Sequence, residues 1–219
     1  MGVILCIETT TTNCSVAVSA DSRLLSLCED NSNSYSHAEK LHVYIQNALA
    51  EAGIQKNRLD AVAVSKGPGS YTGLRIGVSA AKGLCFALDI PLIATDTLQA
   101  LSMQIESPDG YIVPMTDARR MEVYTAVFDQ NHQAVSPIQG LVLQEDSFVD
   151  FLQQSKVYFL GNGSDKFKSI CNHPNAIFIE NKLPSAKEMG ILAEEKYKKS
   201  DFENVAYFEP YYLKDFISG

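Results

Sequence analysis

The chain has 219 residues, of which 46% are apolar and 20% charged, a composition that can bury a sizeable core and argues against a disordered chain. Lys and Arg number 18 against 26 Asp and Glu, leaving a net charge of −8, so the chain as a whole is a poor binder of nucleic acid, whose affinity comes mostly from cations that displace counterions. An acidic protein that serves RNA needs a basic partner or a local basic patch. Nothing approaches the ~20 consecutive apolar residues that span a bilayer, and no basic region precedes the short apolar run at the N-terminus, which predicts a cytoplasmic protein without membrane contact. The cysteines, Cys6, Cys14, Cys28, Cys85 and Cys171, are scattered without a C-x-x-C pair, which points to reduced thiols and against a zinc site.

In chain order, residues 3–7 form a short apolar run ending at Glu8, followed by the polar stretch Thr9-Thr10-Thr11-Thr12-Asn13 and a second β-like run at 14–19, a hairpin with an acid at its mouth. A third strand is predicted near 24–28, then a Ser/Asn-rich loop at 31–36. A helix follows with Ala38, Leu41, Ile45, Ala48 and Ala52 at helical spacing and Gly53 where a C-terminus favours it. Residues 60–65 read as a buried strand, 67–73 as a glycine-rich loop, 74–88 as a helix, 91–95 as a strand and 97–103 as a helix. The turn signal Ser107-Pro108-Asp109-Gly110 falls almost at mid-chain and sets the expected boundary between two subdomains, 1–107 and 108–219. Beyond it the opening hairpin recurs, with an apolar run at 111–115, Asp117 at its end, the polar turn Ala118-Arg119-Arg120 and a returning strand at 122–128. A strand near 138–143, a helix from about 145 to 154, a strand at 157–160, the loop Gly161-Asn162-Gly163, a strand near 177–179 and a helix at 186–198 complete the chain.

Each half is read on a β-β-β-α-β-α plan, with a further strand in each and a further helix in the first. A mixed sheet opened by a hairpin and repeated in tandem is the organisation of the actin, sugar-kinase and Hsp70 superfamily, an actin-like α/β fold of the ribonuclease H-like type. In that superfamily the hairpin mouths hold a nucleotide's phosphates, which makes Glu8, Thr9, Thr10, Asp117 and Arg119 candidate residues of a vestigial phosphate site. Two ordinary hairpins on an α/β protein are the alternative.

The densest motif is Lys66-Gly67-Pro68-Gly69-Ser70-Tyr71-Thr72-Gly73-Leu74-Arg75-Ile76-Gly77. Gly67, Gly69 and Gly73 let the backbone turn tightly between a strand and a helix N-terminus, a place where exposed amides bind anions. The segment lacks the Lys-Ser/Thr ending of a P-loop and the G-x-G-x-x-G spacing of a dinucleotide site, so a ligand loop and a purely structural turn stay open as alternatives. In the following helix Arg75, Ser79 and Lys82 form one narrow polar stripe, and apolar residues occupy nearly everything else. Gly73, Gly77, Ala80 and Gly83 permit close backbone approach, so this helix is either deep in the monomer core or shares a face with another subunit. The preceding helix adds a strip of Val43, Tyr44 and Ala50 beside its core face. Ser79-Ala80-Ala81-Lys82 matches the S-x-x-K of penicillin-binding enzymes without the companion motifs, a coincidence on a helix face. His37 and His42 stand about 140° apart around a helix, where a chelating pair wants i, i+4. His37 belongs to a helix N-terminus, and His132 and His173 to polar loops. No catalytic residue and no metal ligand is assigned.

Ile4-Leu5-Cys6-Ile7-Glu8-Thr9-Thr10, the motif from Gly67 to Gly77, and Asp117-Ala118-Arg119-Arg120-Met121-Glu122-Val123-Tyr124 together resemble the bacterial TsaB (YeaZ) family, in order and over most of the chain. The resemblance implies an actin-like fold and a part in making threonylcarbamoyladenosine, the modified adenosine beside the anticodon of tRNAs that read codons beginning with A. It implies a non-catalytic subunit. The longer relative TsaD moves the threonylcarbamoyl group from its AMP ester to the base nitrogen and carries a metal held partly by a His-x-x-x-His pair, whereas this chain is shorter and spaces His37 and His42 one residue too far apart. It further implies pairing with TsaD, help in recruiting the ATPase TsaE, tRNA contact only through the complex, and ATP and metal in those partners, with no cofactor bound by this chain.

Members of the family pair through the helices after the third strand and after the glycine loop. The helices at 37–52 and 74–88 are thus expected to form a four-helix interface with TsaD, through His37, Leu41, Val43, Tyr44, Ala50, Leu74, Arg75, Gly77, Val78, Ala80 and Ala81. A homodimer when the chain is alone is the other arrangement open to that face. Met121 stands where the family often has glycine. Two further readings stay open: a nucleotide-binding ATPase or kinase of the actin-like class, working between Glu8 and Asp117, and a glycoprotease-type metallopeptidase, which needs a metal site these spacings do not offer.

Overall fold

The structure, a computed structural model, describes residues 2–30 and 37–214; the predicted loop at 31–36 lies outside the described residues. The chain divides into two units. The first runs up to Thr97 and resumes over Ser185–Tyr212, and the second takes Leu98–Pro184 with Leu213 and Lys214.

In the first unit β1 (Val3–Glu8) and β2 (Cys14–Ala20) form the predicted hairpin. β3 (Arg23–Asp30) pairs antiparallel with β2, and β4 (Ala61–Ser65) and β5 (Leu92–Thr95) add in parallel on the other side, giving the order β3-β2-β1-β4-β5. Strand alternation sends Leu5, Ile7, Val16, Val18, Val62 and Val64 to one face, where they meet Leu41, Ile45 and Leu49 of α1 (His37–Glu51) and Val78, Ala81 and Cys85 of α2 (Tyr71–Leu88). On the opposite face Gly190 of α6 (Ala186–Lys198) lies against Ser19. With both faces covered, β1 and β4 are near-continuous apolar runs rather than alternating ones. Burial pushes the thiol of Cys6 up to about 12 and those of Cys14 and Cys85 to about 11, so these cysteines are inert core residues. Local signals set the helix ends. Beyond α1, Gly53 takes a φ of +66°, and α2 opens on Ser70, whose hydroxyl accepts the Gly73 N–H at 3.3 Å.

The second unit repeats the topology. β6 (Gly110–Asp117), β7 (Glu122–Thr125), β8 (Gln139–Val142), β9 (Lys156–Leu160) and β10 (Ala176–Ile179) stand in the order β8-β7-β6-β9-β10, antiparallel through the first three and parallel through the last three. This duplicated order is the actin-like α/β fold. One face of the sheet, through Val113, Met115, Val157 and Phe159, packs on Leu152 of α4 (Val149–Leu152) and Phe167 of α5 (Ser164–Lys168). The other, through Ile112 and Leu160, takes Leu98 and Leu101 of α3 (Thr97–Ser102).

Three sequence expectations are corrected. The helices that end the two predicted halves exchange sheets: α3 covers the second and α6 the first, so the division falls after Thr97 and after Pro184 rather than at 107/108. An apolar helix face does not declare which sheet it will cover, and chain order misassigns both. The helix predicted from 145 to 154 contracts to α4, because Gln144 and Ser147 bond each other across a turn and Phe148 is left-handed at φ 63°. The strand returning from the second hairpin ends at Thr125, since the Val127 N–H is taken by Ser136 Oγ at 2.8 Å.

Candidate functional site

The first hairpin mouth is closed from within its own unit. Glu8, Thr9, Thr10 and Thr11 are at most 2% exposed. The glycine loop packs directly on them, with the Ser70 N–H donating to the Thr10 carbonyl at 2.7 Å and Thr9 Oγ1 donating to the Gly73 carbonyl at 2.7 Å. A Cβ on Gly73 would stand 2.0 Å from the Thr9 carbonyl oxygen, and one on Gly77 2.3 Å from Thr9 Oγ1. The spacing of the motif is therefore set by the approach of α2 to the hairpin, and close packing alone accounts for these glycines. Glu8 Oε1 accepts the Thr10 N–H at 2.5 Å; burial holds its carboxyl above the usual carboxylate range, opposed by hydrogen bonds from Ser65 and Thr10. His37 joins the same cluster from the start of α1, its Nε2 donating to the Thr11 carbonyl at 2.7 Å, and burial lowers its pKa so that the ring stays neutral.

The second mouth is built differently. Asp117 Oδ1 accepts the Arg119 N–H at 2.6 Å, its Oδ2 lies 3.1 Å from Lys166 Nζ, and its own N–H donates to Asn162 Oδ1 at 3.0 Å. Asp117 thus braces the turn. The left-handed residues there are Arg119 at φ 68° and Arg120 at φ 48°, while Met121, at the position where glycine was the point of comparison, does not adopt a positive φ. The Ser102 hydroxyl lies 3.3 Å from His132 Nδ1, but Ser102 is fully buried and donates to the Gln99 carbonyl at 2.7 Å, which makes the pair a core contact.

An open feature lies on the two long helices of the first unit. A groove of about 540 Å³ runs between α1 and α2, lined by Ala38 from the one and by Ile76, Ala80, Gly83 and Leu84 from the other, with His42, Arg75 and Ser79 as its polar members. Arg75 is held in place: its guanidinium sits 4.0 Å over the Tyr71 ring and bonds the Tyr71 hydroxyl, and Tyr71 packs on Tyr212 with centroids 4.9 Å apart. Lys82 donates to the carbonyls of Ala206 and Phe208 at 3.0 and 3.1 Å, fastening the segment around residues 206–208 to α2.

Of the residues expected on the pairing face, Val43, Ala50 and Arg75 are exposed, Tyr44 is half-buried, and Ala80 lines the groove. His37, Leu41, Leu74, Gly77, Val78 and Ala81 are instead buried within the first unit. On α2, apolar on nearly every side, the sequence does not separate the inner stripe from the outer. It also passes over Ile76, Leu84 and Phe86, the last 85% exposed. Gly83 carried a usable signal, because nothing lies within 4 Å of the Cβ it lacks, and a glycine in a helix interior costs about 1 kcal/mol against alanine. The helix keeps a small residue there without an intramolecular reason. Among the described residues, no three His, Cys, Asp or Glu side chains gather as a metal site, and no helix is long and apolar enough to cross a membrane.

Residues 31–217 match the family model described as TsaD: tRNA N6-adenosine threonylcarbamoyltransferase. The chain is 31% identical over 171 residues to the tRNA threonylcarbamoyladenosine biosynthesis protein TsaB of Bacillus subtilis (strain 168), covering 76% of this chain and 70% of that one. It is 26% identical over 226 residues to the protein of the same name from Escherichia coli (strain K12), covering 98% and 96%. The solved structure of YeaZ from Pseudomonas aeruginosa superposes with a TM-score of 0.83 at 26% identity, covering 97% of this chain and all of the other. Fold and family model together define an actin-like protein related to the tRNA N6-adenosine threonylcarbamoyltransferases. Within that class, the chain belongs to the TsaB family.

Proposed function

We propose that this chain is the scaffold or activating subunit that pairs with TsaD, and with it recruits TsaE, for transfer of the threonylcarbamoyl group from threonylcarbamoyl-AMP to N6 of the anticodon-adjacent adenosine of tRNAs. The observation that carries the reading is the open, mainly apolar groove between α1 and α2, seated on the helices through which the family pairs. Its small residues, Ala38, Ala80 and Gly83, suit close approach by a partner helix. In this reading the chemistry, the ATP and the metal belong to the partner subunits, tRNA is held mainly by the complex, and the location is the cytoplasm. The nucleotide-binding alternative gains no observation in its favour, since the Thr9–Thr10 turn is occupied by the glycine loop and Asp117 by Arg119 and Lys166.

The test is reconstitution. An unmodified tRNA transcript is incubated with TsaD and TsaE from the same organism, their metal, ATP and threonylcarbamoyl-AMP, with and without this chain, and threonylcarbamoyladenosine is measured by mass spectrometry of the nucleosides. Formation that depends on this chain is the expected result; equal formation without it would overturn the reading.

A further inference from the structure

The β6–β7 turn carries a feature that pairing through α1 and α2 does not use. Arg119 and Arg120 are consecutive left-handed residues, at φ 68° and 48°, a conformation that glycine or asparagine would hold with less strain. The turn is rigidly braced from below. Asp117 Oδ1 accepts the Arg119 N–H, Lys166 Nζ donates to the Glu122 carbonyl at 2.9 Å, and the Glu122 N–H closes the turn on the Arg119 carbonyl at 3.1 Å. The two acids flanking the tip are each matched by a lysine, Asp117 by Lys166 at 3.1 Å and Glu122 by Lys214. Those pairs cancel, so the charge left at the tip is that of the two guanidinium groups. Both arginines are exposed, and among the described residues no carboxylate lies within ion-pair distance of either side chain.

We infer that Arg119 and Arg120 form a contact for the phosphate backbone of RNA. The guanidinium is planar and weakly hydrated and presents a donor fork that matches phosphate oxygens, which a rigid turn can hold ready on an otherwise anionic chain. A net charge of −8 repels a polyanion over most of the surface, so a useful contact has to be local and project from it. The inference rests on the tRNA-modification reading, which supplies the RNA. An acidic protein surface is the competing occupant.

The test uses the complex of this chain with TsaD and a fluorescent tRNA transcript, with affinity read by anisotropy across a salt series. The double variant Arg119→Gly, Arg120→Gly removes both charges while suiting the left-handed backbone, so its melting temperature should hold or rise; Arg119→Lys, Arg120→Lys keeps the charge. The glycine variant is expected to bind tRNA about 10-fold more weakly, with the slope of log affinity against log salt reduced by about 0.7–0.9 for each phosphate it no longer neutralises. The lysine variant should keep most of the slope, and both should still pair with TsaD. Unchanged affinity and slope in a glycine variant that pairs normally would overturn the inference. Loss of pairing with intact tRNA binding would overturn it too and assign the turn to a protein surface. A wild-type chain that fails to join TsaD would remove the functional reading beneath it, an outcome seen before any variant is compared.

Discussion

Thr9 is the residue around which the first unit closes, because its hydroxyl and carbonyl meet the first turns of α2 where Gly73 and Gly77 leave room. Gly73→Ala would place a methyl group 2.0 Å from a backbone oxygen that the hairpin cannot move cheaply. We expect a loss of about 3 kcal/mol, the upper end for overpacking, measured by urea unfolding. A cost below about 0.5 kcal/mol would mean the contact is slack. Beside it, Glu8 gives a pH signature. Its folded pKa is raised by burial above the ordinary 4.5, so at intermediate pH the folded state holds a proton that the unfolded chain has released. Stability from this group is therefore greatest at low pH and falls as pH rises through the folded pKa. Glu8→Gln cannot titrate, so its stability relative to the wild type should increase from pH 4 to pH 8. A difference that stays flat over that range would refute the shift. His37 runs the other way, its lowered pKa removing stability as pH falls through its ordinary value of 6.5, and the Gln comparison cancels that background.

At the scale of elements, α6 owes its place on the first sheet to a polar clasp between buried serines and the exposed Glu29. Ser185 caps the helix by accepting the Lys187 N–H at 3.2 Å and donates to Glu29 Oε2 at 2.7 Å, while Ser15 donates to the same oxygen at 3.1 Å and accepts the Ala186 N–H at 3.0 Å. Ser185→Ala removes the cap and one donor to Glu29, for an expected cost of about 1–2 kcal/mol read as a lowered melting temperature. No change would mean that apolar packing alone seats the helix. The clasp also explains what was legible beforehand. The β1–β2 and β6–β7 hairpins, α1 and α2 follow from local periodicity, caps and turn residues, and the sequence places them well. The exchange of α3 and α6 between sheets depends on contacts such as Ser185 with Glu29, 156 residues apart, which no local pattern records. In the same way, Leu74, Val78 and Ala81 look like a pairing surface in a linear reading but face the core, whereas Gly83 and Ile76 define the groove.

At the scale of the whole molecule, the chain combines a net charge of −8, two sheets of identical topology and an open, mainly apolar groove between α1 and α2. That combination suits a subunit whose work is association, with the proposed RNA contact on a cationic turn. The proposed pairing with TsaD rests on the family, and the groove is its proposed place. The most direct measurement is co-purification with TsaD of the wild-type chain, of Gly83→Arg and Val43→Glu in and beside the groove, and of Glu195→Arg on the exposed side of α6 as a control. Gly83 has open space around it and arginine is the better helix former, so Gly83→Arg should match or exceed the wild-type melting temperature. The account predicts that the wild type and Glu195→Arg retain TsaD while both groove variants, folded, lose it by at least 10-fold in affinity. Groove variants that bind TsaD as tightly as the wild type would contradict it.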